Sequence, residues 1–367
     1  MTRGQLSRFM AAISALAILA AVVAGCGSSS SSSSSSSGSS TDEETTTSKA
    51  ATVAYAGNES SLPTEYPEPE DGSLTIGFLN PTSAQEGLKA MQSAITAEAA
   101  NFGAKVVSLD ANLDVNQQVS QMQTLIDQKV DAIIVYPLDP GALAPIIARS
   151  KAAGIPVIGI QSTLSPTEKV SGLTSQVWLG PDKNAYRIAK GIAENTPEAN
   201  LGLIGFAAPV PYIKLIVERV GYWGKKMGLN ILGEEDNKDD SVPGGEAAAT
   251  GLLGRYPELN AIFTYNESSA LGAYTAVRSA GRQDSVTIYS NNGTTEGLDA
   301  VSEGKIAITF QFPFLATGEL AVKAALDAAE EVKIPPVVTV PESTEITADN
   351  VGEAANWEEQ LKEKEGN

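Results

Sequence analysis

Residues 105–139, KVVSLDANLDVNQQVSQMQTLIDQKVDAIIVYPLD, contain the pattern that decides the fold. Residues 105–109 and 132–136 are short apolar runs of strand length and strand composition. Between them Val119, Met122, Leu125 and Ile126 recur at helical spacing and so share one face of a helix. Strand, helix and strand in that order form a βαβ crossover, which lays the two strands parallel in one sheet. Working outward, residues 74–79 and 157–160 read as further buried strands, and the turn Gly154-Ile155-Pro156 stops a helix just before the second of them. A second series follows, with strands over 201–206, 231–233, 261–265, 286–290 and 306–311 and helices over about 212–227, 246–255 and 268–280. Two such series predict an α/β protein of two doubly wound lobes with parallel sheets. Ligands of such sheets bind outside the carboxyl ends of the strands.

Composition narrows the function. With 367 residues, 42% of them hydrophobic, the chain exceeds what one core usually fills, in keeping with two lobes. A formal charge of −19 repels phosphate backbones and argues against nucleic-acid partners. Histidine is absent from the sequence, which removes the commonest general base and metal ligand. A single cysteine, Cys26, excludes an internal disulfide and a CxxC metal site. Neither a Gly-x-Ser-x-Gly elbow nor a Walker loop occurs, so the reading is a non-enzyme without metal or cofactor.

The N-terminus reads as an export signal. Arg3 and Arg8 precede an apolar stretch over 9–24, interrupted by Ser14 and short for a membrane span. It ends in Val23-Ala24-Gly25-Cys26, which resembles the bacterial lipobox, and the resemblance implies cleavage after residue 25 and lipidation of Cys26. Ten serines over 28–37 and a polar Ser, Thr, Glu and Pro-rich stretch to about Gly72 follow, predicting a disordered tether over 26–72. The chain is thereby expected outside the cytoplasm, attached to the cell membrane through a lipid.

Several stretches together resemble the type I periplasmic binding proteins, in the ribose-binding branch of the sugar ABC transporter family. The carriers are Asp131 to Asp139, the turn and strand Ala153 to Ile158, Tyr256-Pro257-Glu258-Leu259-Asn260-Ala261-Ile262-Phe263 leading to Asn266, Gly293-Thr294 with Glu296-Gly297, and Gly304 to Thr309 with Gln311. Coverage runs over about 74–347. The resemblance implies two Rossmann-like lobes joined by three hinge crossings near Gly180, Gln311 and Val340. It divides the body into residues 73–179 plus 312–340 and residues 180–311 plus 341–367. It also implies a monomer that closes on a small polar, carbohydrate-like ligand and delivers it to an ABC permease with its ATPase.

Residue by residue, Arg219 matches the family arginine of the second-lobe helix, whose guanidinium donates paired hydrogen bonds; the competing reading is a surface ion pair. Asn266 matches the family's ligand-binding asparagine and is also placed to cap the helix after it. Asn292 stands where sugar-binding relatives often carry Asp, within an Asn-Gly turn, and Gln311 matches the hinge glutamine. Gln161-Ser162 replaces an Asp-Arg pair after the fourth strand, and Gln161 joins the expected contacts. Asn80 and Gln85 after the first strand and Tyr212 after strand 201–206 complete the set by strand direction.

Three departures bear on the ligand. Glu86 and Gly87 occupy aromatic positions after the first strand, a further aromatic position falls on Asp240, and two family acids are missing, at Gln161 and Asn292. With Arg219 retained, the sequence points to a sugar, a polyol or a sugar acid. The same fold serves lactose-repressor-type regulators, but no basic helix-turn-helix precedes it in this sequence. Presentation of the ligand to a chemoreceptor or sensor kinase is the alternative output.

Overall fold

A computed structural model describes residues 53–366. The expected signal over 1–25, Cys26 and the tether before Val53 lie outside the described residues.

The first lobe contains β1 (Thr75–Asn80), α1 (Glu86–Asn101), β2 (Lys105–Asp110), α2 (Val115–Gln128), β3 (Ala132–Val135), α3 (Pro140–Ala152), β4 (Val157–Ile160) and β5 (Ser175–Trp178). The second contains α4 (Pro181–Asn195), β6 (Asn200–Phe206), α5 (Pro211–Met227), β7 (Asn230–Asn237), α6 (Val242–Arg255), β8 (Ala261–Thr264), α7 (Glu267–Ser279), β9 (Thr287–Tyr289), α8 (Thr295–Ser302) and β10 (Ile308–Gln311). The chain returns to the first lobe through α9 (Phe314–Ala329) and β11 (Val337–Thr339). It then adds β12 (Thr344–Thr347) to the second and ends in α10 (Trp357–Glu365).

Each lobe is built on a six-stranded sheet, β11-β5-β4-β3-β1-β2 in one and β12-β10-β9-β8-β6-β7 in the other. All ladders are parallel except that between β10 and β12, which is antiparallel and closes one edge of the second sheet. The central strands β3, β4, β8 and β10 are buried throughout, which is why they read as continuous apolar runs. Helix starts follow local chemistry. Asp114 caps α2 by accepting from the amides of Asn116 and Gln117, and Asp139 caps α3 ahead of Pro140 at its first position.

Two expectations require correction. Residues 53–72, read as disordered tether, are laid along the body: Tyr66 is 7% exposed and its hydroxyl meets Ser175 Oγ at 2.8 Å, and the Thr339 amide donates to the Pro63 carbonyl at 2.8 Å. Aromatic side chains at Tyr55 and Tyr66 supply the apolar area that the surrounding polar composition conceals. The C-terminal helix α10, expected with the second lobe, packs against α1 and α9 of the first. Trp357 anchors it, 1% exposed, with its indole donating to the Phe312 carbonyl at 3.1 Å.

Candidate functional site

The carboxyl ends of the two sheets face each other across a cavity of about 80 Å³. Pro81, Thr82 and Gln85 enter from the end of β1, and Tyr136 and Leu138 from the end of β3. The second lobe contributes Phe206, Tyr212, Asp240, Tyr265, Asn266 and Asn292, and the hinge Phe312 and Phe314.

Aromatic rings form much of the wall. Phe206 and Tyr265 stack at 5.7 Å between centroids, Tyr212 meets Phe312 edge-on at 5.3 Å, and Phe312 meets Phe314 at 4.9 Å. These aromatic residues of the cavity wall thus come from the second lobe and from the hinge, not from the segment after β1. Phe206 and Tyr265 are the last residues of apolar runs already legible as strands, so strand direction alone could have found them. Gly87 gives Phe314 its place, since a Cβ there would lie 2.3 Å from that ring.

Asp240 is the one charged side chain among the described residues lining the cavity. It sits in a left-handed backbone conformation, φ 57°, in the loop after β7. Its Oδ1 accepts from the Tyr265 hydroxyl at 2.5 Å and from Asn266 Nδ2 at 2.7 Å. Its Oδ2 accepts from Gln85 Nε2 at 2.6 Å, a bond that crosses from one lobe to the other. Burial pushes this carboxyl above the ordinary aspartate range, against the pull of its three donors. The sequence marked position 240 as a lost aromatic; the structure shows a carboxylate in its place.

A second interlobe contact lies beside the cavity. Glu86, at the first turn of α1, accepts from the Thr295 amide at 2.9 Å and from its hydroxyl at 2.7 Å.

Gln85, Tyr212, Asn266 and Asn292 line the cavity among the expected contacts. Asn266 serves both readings: its Oδ1 accepts from the Ser269 amide at 2.9 Å and caps α7, while its Nδ2 faces Asp240. Tyr212 is 5% exposed, with its hydroxyl accepting from Asn184 Nδ2 at 2.9 Å; burial raises its pKa. Asn292, at φ 117°, bridges to Gln311 at the mouth of the hinge.

The other four expected contacts point elsewhere. Arg219 pairs with Asp182 at the start of α4 and lies 3.9 Å over the Tyr222 ring, outside the cavity. Asp182 also accepts from the Trp223 indole at 2.9 Å and the Tyr55 hydroxyl at 3.2 Å, so Arg219 belongs to a cluster on the outer face of α4 and α5. Gln161 is fully buried, donating to the Thr163 carbonyl at 3.1 Å and accepting from the Leu179 amide at 2.9 Å, which ties β4 to the hinge. Asn80 turns its Nδ2 to Gln92 Oε1 at 3.1 Å on α1. Gln311 donates to the Ala355 carbonyl at 3.0 Å and accepts from Gln360 Nε2 at 3.2 Å, binding the hinge to the C-terminal segment. Trp178, at the end of β5, donates its indole N–H to Glu59 at 2.7 Å.

Two facing α/β lobes and a cavity walled by both define a two-lobed binding protein. A family model described as periplasmic binding protein domain matches residues 76–333, and the chain belongs to that family. It is 26% identical over 271 residues to a ribose import binding protein of Bacillus subtilis, covering 73% of this chain and 86% of the relative. It is 29% identical over 257 residues to a xylitol-binding protein of Mycolicibacterium smegmatis, covering 66% and 68%. Among solved structures, an ABC transporter solute-binding protein of Agrobacterium vitis bound with α-D-tagatopyranose superposes with a TM-score of 0.72 at 19% identity, covering 78% of this chain and 99% of that one. One of Bacillus halodurans with bound myo-inositol gives 0.66 at 24%, covering 77% and 98%.

Proposed function

We propose that this chain is the capture component of an ABC importer, closing its two lobes on a single sugar or polyol and presenting the closed form to a membrane permease. The observation that carries this reading is the interlobe cavity, lined by the rings of Phe206, Tyr212, Tyr265, Phe312 and Phe314 and by the amide side chains of Gln85, Asn266 and Asn292. Rings stack on the C–H faces of a polyhydroxy ligand while amides and hydroxyls exchange hydrogen bonds with its hydroxyls. The ribose and xylitol relatives support the ligand class. Sugar acids are set aside. Arg219, the cation that suggested them, is engaged by Asp182, and the cavity carries a carboxylate instead.

Lipidation at Cys26 would keep the clamp beside its permease, and Cys26→Ser should move the protein from the membrane fraction to the soluble one. The ligand reading is tested by thermal shift against sugars and polyols on protein beginning at Gly27. A ligand at 100 times its dissociation constant adds roughly 2.7 kcal/mol to folded-state stability. If no pentose, hexose or polyol shifts the melting temperature, the reading fails.

A further inference from the structure

The charge of the cleft narrows its ligand class, on the footing that the cleft takes a polyhydroxy ligand. Asp240 brings a carboxylate into a wall of aromatic rings, and no lysine or arginine among the described residues lines the cavity with it. The nearest cation along the loop, Lys238, is exposed, and Glu86 at the rim is a further acid. Arg219, which could have balanced the site, is held by Asp182. A carboxylate has about four acceptor positions, and three are taken by Tyr265, Asn266 and Gln85. One position on Oδ2 is left at the seam between the lobes. Closing on a neutral ligand leaves a buried negative charge with hydrogen bonds but no counter-charge, which a low-dielectric site penalises. A ligand ammonium would fill the open acceptor position and supply that counter-charge. The faces of Phe206, Tyr212, Tyr265 and Phe312 would stabilise the same cation through their quadrupoles. The chain's net charge of −19 acts in the same direction on approach.

We propose that the cleft selects polyhydroxy ligands that carry an amino group, amino sugars or amino polyols, with Asp240 as the residue that reads the ammonium.

Matched pairs test this: D-glucosamine with D-glucose, D-galactosamine with D-galactose, and glucamine with sorbitol, titrated by calorimetry into the full chain near neutral pH, where the amines are still largely protonated and the Asp240 carboxyl, raised by burial, keeps its charge better than in acid. The amino member of at least one pair is expected to bind about ten-fold tighter or better than its hydroxyl partner. Asp240→Asn keeps the shape of the side chain and removes its charge, and should bring that ratio close to one. The comparison within the unmodified protein does not depend on how well the variant folds. Neutral members binding as tightly as their amines would overturn the proposal and leave sugar or polyol capture standing. An amine preference that survives Asp240→Asn would overturn the role of Asp240. Binding of neither member of any pair, with no shift by any other sugar or polyol, would sink both readings.

Discussion

Glu267, a buried side chain beneath the cleft, links the stability of the fold to pH. The residue after the helix-capping Asn266 is 1% exposed; its Oε1 accepts from the Gly293 amide at 2.5 Å and the Thr309 hydroxyl at 2.6 Å, and its Oε2 has no partner among the described residues. Burial pushes the carboxyl from an ordinary 4.5 up to about 7. A carboxyl raised in the folded state binds its proton more tightly there than in the unfolded chain. The stability this contributes is complete below the unfolded value and is lost as pH climbs through the folded one. Melting temperature should therefore fall between about pH 4.5 and 7 through this group. Glu267→Gln should flatten that fall and stabilise the protein above pH 7 by on the order of 1–3 kcal/mol. A melting curve series with the same slope in both proteins would refute the assignment. At this scale the sequence was informative about position and poor about partners. Gln85 and Tyr212 were placed by strand direction, which needs only the order of elements, and Asn266 by its match to the family pattern. Arg219 was misplaced because Asp182, its partner, lies on another helix that only the folded chain brings near.

The element with most to say about stability is the segment 53–72, which straps the two lobes. Tyr55 packs at 5.5 Å on Tyr186 of α4 and at 5.7 Å on Trp223 of α5, and Tyr66 is buried against β5 of the other lobe. Between them Glu59 is 4% exposed and accepts from the Trp178 indole at 2.7 Å, the Lys183 amide at 2.7 Å and the Asp182 amide at 3.3 Å. The last two are free amides at the start of α4, whose own cap position is Gly180 and has no side chain to offer, so Glu59 takes the place of the cap. Glu59→Ala should cost roughly 2–3 kcal/mol, read as a lower melting temperature and urea midpoint. A chain beginning at Ser73 should lose still more. An unchanged midpoint in both would show the strap to be energetically idle. Composition could not reveal this element, because averaging over a long polar stretch dilutes the two tyrosines that bury it. The sheets were legible for the opposite reason: a buried parallel strand needs an unbroken apolar run, and β3, β4 and β8 each have one. The short edge strands β11 and β12 have weaker runs and could not be told from loops.

On the proposed reading, function for the whole molecule is an equilibrium between separated and closed lobes, and a ligand acts by binding the closed arrangement better. The two interlobe contacts have different standing. Gln85 lines the cavity, so changing it alters closure and ligand contact together. Glu86 bonds Thr295 across the gap without lining the cavity, so it reports on closure alone. When only a fraction of the unliganded protein is closed, the apparent dissociation constant is the intrinsic one divided by that fraction. Glu86→Ala removes two charge-assisted hydrogen bonds from the closed form only, and their exposure to solvent limits the effect. Apparent affinity for any ligand should weaken by roughly three- to ten-fold, with the ranking of ligands unchanged. The radius of gyration of the unliganded protein, measured by small-angle scattering, should stay at or above that of the parent, and saturating ligand should bring both to the same value. A changed ligand ranking would place Glu86 in the binding site itself, and an unchanged affinity would mean that the Glu86–Thr295 contact contributes nothing to closure.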